Sequence, residues 1–314
     1  MKPENKLLVS ICCQTYNHKY FIKDAIESFL MQKTTFDYEI LLRDDASTDG
    51  TTKIVKEFSE KYPELIKPLI YTENQFTKGI KSFPDNVKRA KGKYIAICEG
   101  DDYWIDPFKL QKQVDILEAN EDYSFVFSPA TRYFEETGKS VIRNKYFFKE
   151  IEKIDLEWIL KKGGGFYPTA TAMFKRELVS TLPNWFYLHS TGDYPLAILA
   201  ALNGKIGYID DVMVVYRVHG NSLTNNKSIE PGECTHLAKV NKEKNLKFIN
   251  TLVKNKLITR RMKRYLEIKE NYVFFSKCIN CKNYDKAFRG LASPNLNIIF
   301  RIRLLAKLIW SIKS

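Results

Sequence analysis

Residues 7–17, LLVSICCQTYN, decide the fold of this chain. Residues 7–13 form a nearly uninterrupted apolar run with β-branched members, which is typical of a strand covered on both faces of a sheet. Four polar residues, 14–17, follow this run directly. In a parallel α/β sheet such residues stand at the carboxyl end of a strand, where ligands bind.

Helix and strand patterns alternate from this segment through the first hundred residues. Five apolar residues repeat at helical spacing and predict one apolar helix face: Ile22, Ala25, Ile26, Phe29 and Leu30. The other predicted elements are strands at 38–42, 66–71 and 94–98 and helices at 51–61 and 84–90. Repeated strand–helix–strand units predict a mostly parallel α/β sheet with helices on both faces.

The rest of the chain divides into two parts of different character. In the first part we predict a helix at 108–120, strands at 124–128 and 167–174, a loop at 163–165, a helix at 195–202 and one or two strands at 206–216. After about residue 222 the sequence becomes Lys-rich and helical. The composition therefore predicts one domain at 1–222 and a basic helical appendage at 223–314.

Charge is distributed unevenly along the chain. The whole sequence carries a formal net charge of +13, but residues 237–314 alone contain 19 Lys and Arg against 4 Asp and Glu. The preceding part is therefore close to neutral. Because nucleic-acid binding requires basic residues around the site itself, we expect no nucleic-acid partner.

The cysteines and the terminal segments bear on the cellular compartment. Three of the six cysteines lie in apolar strand-like runs, and we expect buried free thiols; the six are Cys12, Cys13, Cys98, Cys234, Cys278 and Cys281. The last two form a C-x-x-C, but no second pair stands at zinc-site spacing. Free thiols indicate a reducing compartment. With no signal-peptide pattern and no uncharged stretch of ~20 residues, we expect a cytoplasmic protein.

Acidic residues cluster after two of the predicted strands. Asp44 and Asp45 begin DDASTDG, and Glu99, Asp101 and Asp102 lie within EGDDYW. A helix cap explains one carboxylate of the first cluster, but adjacent carboxylates repel each other unless a donor or cation uses them. Oxygen ligands of the second cluster suit Mg²⁺ or Mn²⁺, with positions left open for substrate phosphates. An acidic surface turn is the alternative for this second cluster.

The segments VSICCQTYN, DDASTDG and EGDDYW, in this order, resemble glycosyltransferase family 2, an inverting family with the GT-A fold. The resemblance covers about residues 6–220 and implies a nucleotide-binding half at about 1–105 and an acceptor half at about 106–222. It implies that Asp101 and Asp102 bind the metal and that Trp104 lines the sugar or acceptor pocket. Nucleotide binding is implied for Gln14, Tyr16, Asn17, Asp45 and Glu99. Glu99 stands where the family more often has Asp.

Two later segments add candidate residues. Asp193 resembles the family's general base, which removes the proton of the acceptor hydroxyl. Because it precedes Pro195 at a predicted helix start, an ordinary helix cap is the alternative. Arg217 and His219 lie in YRVHGNS, which resembles the end of the family's catalytic domain, where the His approaches the metal or diphosphate. We therefore expect His219 at the metal and Arg217 in the donor or acceptor pocket. A structural His is the alternative.

The resemblance implies transfer of a hexosyl or N-acetylhexosaminyl group from a nucleotide sugar, with UDP favoured, to a saccharide or lipid-linked saccharide during cell-envelope polysaccharide biosynthesis. A sugar nucleotidyltransferase would need a Gly-rich basic phosphate loop after the first strand, and residues 14–17 supply none. A retaining transferase would not need Asp193. A non-catalytic nucleotide-sugar-binding or assembly protein would tolerate its loss.

Residues 295–314, NLNIIFRIRLLAKLIWSIKS, contain no acidic residue and alternate apolar with basic side chains. This pattern predicts a basic amphipathic helix that lies in an anionic membrane interface, which would place the protein at the inner face of the cell membrane. Packing of the same apolar residues onto the protein, or onto a second subunit of a homo-oligomer, is the alternative.

Overall fold

The computed structural model describes residues 6–146, 154–220 and 231–313. The chain forms two compact units: Met1–Leu182 with Leu196–His219, and Pro183–Pro195 with Gly220–Ser314. The domain boundary predicted at residue 222 lies outside the described residues. Assignment of Pro183–Pro195 to the second unit was not predicted. Of the helices in the described ranges, none is long and apolar enough to span a membrane.

The first unit contains the strands β1 (Leu7–Thr15), β2 (Asp37–Asp44), β3 (Ile66–Ile70), β4 (Tyr94–Ile97), β5 (Tyr103–Trp104), β6 (Tyr123–Phe127), β7 (Ala130–Phe134), β8 (Lys139–Arg143), β9 (Met173–Lys175), β10 (Lys205–Tyr208) and β11 (Val214–Val218). Seven form a sheet in the order β10-β6-β9-β4-β1-β2-β3, and four form a second sheet, β5-β11-β7-β8. In the larger sheet β9 runs antiparallel to both neighbours and the other pairs are parallel. The mostly parallel GT-A-like sheet is therefore confirmed.

The helices of the first unit are α1 (Ile22–Leu30), α2 (Thr51–Lys61), α3 (Ser82–Val87), α4 (Lys109–Ala119), α5 (Leu156–Lys162) and α6 (Glu177–Ser180), whereas α7 (Asp193–Asn203) begins in the second unit and ends in the first. The first of them buries the apolar face that its periodicity predicted. Its side chains pack with residues of β1 and β2 in the main core, which fixes the loops at the carboxyl ends of these strands.

The strand predicted at 167–174 is wrong for most of its length. Only Met173–Lys175 pairs with neighbouring strands, and Thr169–Thr171 forms a 3₁₀ turn. Pro168 lacks a backbone N–H, and its carbonyl accepts the backbone N–H and the hydroxyl of Thr171, at 3.0 and 2.8 Å. The apolar run is therefore buried as a turn. The sequence prediction also missed β7, β8 and α5.

The second unit is helical, as its composition predicted. Its helices are α8 (Pro231–Lys254), α9 (Arg260–Asn280), α10 (Tyr284–Leu291) and α11 (Ile298–Lys313), with a 3₁₀ turn at Asn184–Tyr187. Side chains of Thr259 and Asn283 cap α9 and α10. The core of the last three helices consists of Cys278, Ile279, Ala287, Leu296, Phe300, Leu304 and Leu308.

A disulfide corrects the expectation that all six cysteines are free. Cys234 near the start of α8 is bonded to Cys281 immediately after α9, across 47 residues of sequence. Loop closure of this length stabilises the folded state by about 4 kcal/mol. Cys12, Cys13, Cys98 and Cys278 are free and buried, as expected. The cysteines therefore no longer support a reducing compartment.

Candidate active site

Hydrogen bonds beyond the strands bring the three motifs to one edge of the sheet. The register aligns Thr15 of β1 with Asp44 of β2. One residue further, the N–H of Asp45 donates to the carbonyl of Thr15 at 3.0 Å. On the other side of β1, the N–H of Gly100 donates to the carbonyl of Gln14 at 2.9 Å. The segments after β1, β2 and β4 therefore adjoin one another.

The loop after β1 is fastened to the loop after β2. Four hydrogen bonds of 2.8–2.9 Å connect them: Asn17 N–H to Ser47 Oγ, His18 N–H to Thr51 Oγ1, Lys19 N–H to Asp49 Oδ2, and Thr48 N–H to Asn17 Oδ1. Asn17 and Ala46 adopt left-handed backbone conformations, with φ of 55° and 62°. The side-chain oxygen of Asn17 thus holds the second loop in shape.

The two carboxylates of DDASTDG have different partners. Asp44 is buried and accepts hydrogen bonds from the backbone and hydroxyl of Ser47 and from the hydroxyl of Thr52, so it closes the turn before α2. Asp45 accepts the backbone N–H groups of Gln75 and Phe76, at 3.0 and 3.1 Å. Local donors therefore satisfy the charge of this turn.

A buried arginine, missed by the sequence analysis, anchors Asp45. Arg43 of β2 is almost fully buried and lies 3.2 Å from the Asp45 carboxylate and 3.1 Å from that of Asp85. Its guanidinium lies over the ring of Tyr71, 4.7 Å from the centroid. A cation directly after the apolar run at residues 40–42 of a buried strand was the available signal, because such a group needs buried anionic partners.

The remaining predicted nucleotide ligands lie at the same strand ends. Tyr16 is exposed directly after β1. The side-chain amide nitrogen of Gln14 is buried and makes no hydrogen bond within the described residues. Glu99 accepts a hydrogen bond from the hydroxyl of Thr169 at 3.2 Å. A buried donor without a partner is uncommon in folded proteins, so Gln14 is available to a ligand.

Two imidazoles converge on one oxygen of Asp101. Its Oδ2 lies 3.2 Å from Nε2 of His219 and 3.8 Å from Nε2 of His18. Burial raises the pKa of Asp101, but the hydrogen bond to His219 and the charge of His18 outweigh burial and lower it below its usual range. For His18, a base, burial has the opposite effect and lowers the pKa below its usual value. The sequence analysis missed His18, although it directly follows QTYN.

Asp102 and Arg217 connect the acidic turn to β11. Asp102 is 1% exposed and accepts the backbone N–H of Arg217 at 2.8 Å. Burial raises the pKa of Asp102 well above its usual range, and the charges of Asp101 and Glu99 raise it further. This placement does not support the predicted contact between Asp102 and the metal.

The side chain of Arg217 is committed to the protein itself. Its guanidinium donates to the Asp101 carbonyl at 3.2 Å and pairs with Asp24 and, at 3.0 Å, with Glu135. It also lies over the ring of Tyr103, 4.3 Å from the centroid. These contacts correct its predicted place in a donor or acceptor pocket, because they hold the guanidinium against groups of the fold.

Trp104 lies in the core, which corrects its predicted place on a pocket wall. The side chain is 1% exposed, and its indole N–H donates to the carbonyl of Ala170 at 3.0 Å. Its ring packs against Phe29, with centroids 4.8 Å apart, and under the ammonium of Lys109. An aromatic residue near an acidic turn was therefore an insufficient signal for a pocket.

Asp193 belongs to the second unit, where it begins α7. The preceding segment is held to α8 by the backbone N–H of Ser190, which donates to the Asn245 side chain at 3.2 Å. His189 contacts the rings of Tyr194 and Phe248, each with a centroid distance of 5.1 Å. The backbone around Asp193 is thus fixed within this unit, and its role as a base stays a prediction.

The donors around Asp101 are compatible with a divalent cation. No group of three or more His, Cys, Asp and Glu side chains in the described ranges is arranged to hold a metal ion by itself. Asp101 Oδ2 and His219 Nε2 are 3.2 Å apart, and two adjacent ligands of an octahedral ion at about 2.1 Å are separated by about 3.0 Å. Carboxylate and imidazole together suit Mn²⁺, and substrate phosphates would complete the coordination.

Comparison with known proteins gives one family. Residues 10–182 match the model described as "Glycosyl transferase family 2". An uncharacterized protein of Mycobacterium tuberculosis is 31% identical over 222 residues, 68% of this chain and 60% of the relative, so the chain spans less than two thirds of that relative. The Escherichia coli UDP-Glc:alpha-D-GlcNAc-diphosphoundecaprenol beta-1,3-glucosyltransferase WfaP is 34% identical over 130 residues, 41% of this chain and 47% of the relative.

Two solved structures share the fold. The Staphylococcus aureus TarS 1-349 complex with UDP-GlcNAc has a TM-score of 0.59 and 17% identity, covering 97% of this chain and 89% of that one. The mannosyltransferase PcManGT from Pyrobaculum calidifontis, in complex with GDP-Man and Mn²⁺, has a TM-score of 0.58 and 17% identity, covering 98% and 86%. At this identity the likeness concerns the fold alone.

Proposed function

Because the chain belongs to glycosyltransferase family 2, we propose that it transfers a glycosyl group from a nucleotide-sugar donor to an acceptor hydroxyl. The observation that carries this proposal is the junction of the three motifs at the carboxyl edge of the sheet, through the bonds of Thr15 with Asp45 and of Gln14 with Gly100. Ligands of open α/β sheets bind at this edge.

We propose a UDP-sugar as the donor, with Tyr16, Gln14 and Asp45 around the base. A carboxylate offers about four acceptor sites, so Asp45 can accept the imide N–H of uracil beside the N–H groups that it already holds. Asn17 acts through the shape of the loop, and Glu99 faces the ribose. The WfaP name specifies UDP-Glc and the TarS complex contains UDP-GlcNAc, which supports this choice.

Asp101 and His219 would hold Mn²⁺ or Mg²⁺ against the diphosphate, and His18 would support the same oxygen of Asp101. When bound, the cation supplies Lewis-acid neutralisation of the charge on the departing nucleoside diphosphate. The lowered pKa of Asp101 keeps this carboxylate ionised at neutral pH. Asp102 holds β11 in place behind it.

The reaction we propose is a single displacement with inversion. The acceptor oxygen forms a bond to the anomeric carbon while the bond from that carbon to the diphosphate breaks, and the hydroxyl proton passes to the carboxylate of Asp193. The transferred group is a hexosyl or N-acetylhexosaminyl residue. The acceptor is a growing glycan or a lipid-linked saccharide; the name of WfaP specifies alpha-D-GlcNAc-diphosphoundecaprenol for that relative.

A donor screen tests this function. The chain is incubated with UDP-, GDP- and dTDP-sugars and Mn²⁺, and release of nucleoside diphosphate is measured without acceptor. We expect release from a UDP-sugar and its loss in Asp101→Asn. Asp37→Asn is the matched control, because Asp37 is exposed at the amino end of β2, opposite the site. If no donor gives release above the Asp101→Asn background, the proposal fails.

A further inference from the structure

Helix α11 is apolar on two faces. Phe300, Leu304 and Leu308 face the core of the second unit. On another face, Ile298, Ile302 and Leu305 are 69%, 61% and 44% exposed. Their spacing of four and three residues aligns them along the helix. Single exposed apolar residues are ordinary, but a continuous row on one helix indicates an interaction surface.

The segment that contains this row is rich in basic residues. Residues 282–313 contain seven Lys and Arg and one acidic residue, Asp285. Arg303 lies on α11 between Ile302 and the buried Leu304, and its side chain is exposed. On the neighbouring helix α10, Arg289 is exposed next to Phe288, which is also exposed. The segment that carries this surface, residues 282–313, thus combines exposed apolar side chains with a net charge of +6.

The charge decides between two occupants of this surface. A second copy of the chain would bring an equal positive charge against it, and like charges in contact oppose association. An anionic lipid surface attracts juxtaposed Lys and Arg and accepts aliphatic side chains below its headgroups. Arg301 donates to the carbonyls of Ser293 and Leu296, at 2.8 and 3.0 Å, which fixes the start of α11 on its own unit.

We propose that α11 lies in the plane of an anionic membrane surface, with Ile298, Ile302 and Leu305 inserted and the surrounding basic residues at the headgroups. This surface belongs to the second unit and does not depend on the proposed catalysis. For an enzyme acting on a lipid-linked saccharide, it would hold the chain where its acceptor is concentrated.

Vesicle binding tests the proposal. The full chain is sedimented with vesicles of phosphatidylcholine alone and of phosphatidylcholine with phosphatidylglycerol, and the bound fraction is titrated against lipid. We expect binding to the anionic vesicles that weakens with salt, and a loss of about tenfold or more in affinity for Ile302→Glu. Ile142→Glu is the matched control, because Ile142 on β8 is 52% exposed and the charge change is the same.

Equal binding of the intact chain and Ile302→Glu would overturn the proposal, as would a failure of the intact chain to bind anionic vesicles. Circular dichroism establishes that Ile302→Glu keeps its helices. Sedimentation velocity gives the oligomeric state. If the intact chain is a dimer that Ile302→Glu dissociates, and it does not bind vesicles, a second copy covers the surface instead. Donor hydrolysis in solution is measured in parallel and should be equal in both proteins, so failure of either proposal is recognised separately.

Discussion

The acidic turns after β2 and after β4 differ in which groups of the protein compensate their negative charge. After β2, Asp44 is satisfied by Ser47 and Thr52, and Asp45 by two backbone N–H groups and Arg43. After β4, Asp101 faces two imidazoles. An imidazole carries a positive charge only when it is protonated. The protein itself therefore compensates the carboxylate charges of the first turn, whereas a bound cation would stabilise the ionised carboxylate of the second turn.

Within each turn, one carboxylate is structural and the other lies at the site. Asp44 closes a local turn, and Asp102 accepts the Arg217 N–H from β11. Adjacent acidic residues in a sequence thus need not share a role. In this protein the chemistry we propose depends on Asp101, and the base binding we propose depends on the arrangement around Asp45.

The largest expected effect is the difference in kinetics between substitutions of Asp101 and of Asp45. We expect Asp101→Asn to lower kcat about 10³-fold, because the ligand that holds the cation at the leaving group loses its charge. Asp45→Asn should instead raise the donor KM, by about tenfold, with a smaller change in kcat. Steady-state kinetics with Mn²⁺ measures both. Equal effects of the two substitutions on kcat would contradict the division of roles.

Substitution of Arg43 should destabilise the turn after β2. In Arg43→Met, Asp45 and Asp85 lose a buried cation, and we expect a loss of about 3 kcal/mol in the free energy of unfolding. Urea denaturation measures this loss. Lys67→Met is the control, because this side chain on β3 is half-buried and donates to a backbone carbonyl, that of Pro63. A loss below about 1 kcal/mol would mean that Arg43 does not hold the turn.

A methyl group at Gly100 should disturb the junction of β1 with the second turn. A Cβ there would lie 2.7 Å from Thr15 Oγ1 and 2.8 Å from Thr15 Cβ. We expect Gly100→Ala to lower the free energy of unfolding by about 2 kcal/mol, together with donor hydrolysis. Gly165→Ala is the control, since its Cβ would meet nothing within 4 Å. Unchanged stability and activity would indicate that the junction is loose.

Sequence reasoning predicted that the three motifs adjoin, because the end of each strand can be recognised from the local sequence. Parallel strands bring their carboxyl ends to one edge, so polar residues after β1, β2 and β4 had to adjoin. The details that it missed depend on residues distant in the chain. Asp101 lies 3.8 Å from His18, which belongs to the loop after β1, and Trp104 is covered by Phe29 and Ala170. Likewise, no spacing rule pairs Cys234 with Cys281.

The smallest expected effect concerns the backbone of the first turn. Ala46 has a φ of 62°, a conformation that costs a residue with a Cβ roughly 1 kcal/mol. Since glycine adopts it without this cost, Ala46→Gly should raise the free energy of unfolding by about 0.5–1 kcal/mol. In an ordinary helical conformation the substitution of Ala by Gly is destabilising instead. Ala119→Gly at the end of α4 should therefore lower the free energy of unfolding by a similar amount. Thermal unfolding compares the two, and a loss of stability in Ala46→Gly would mean that the left-handed turn is not strained. The turn after β2 would then owe its shape to hydrogen bonds alone.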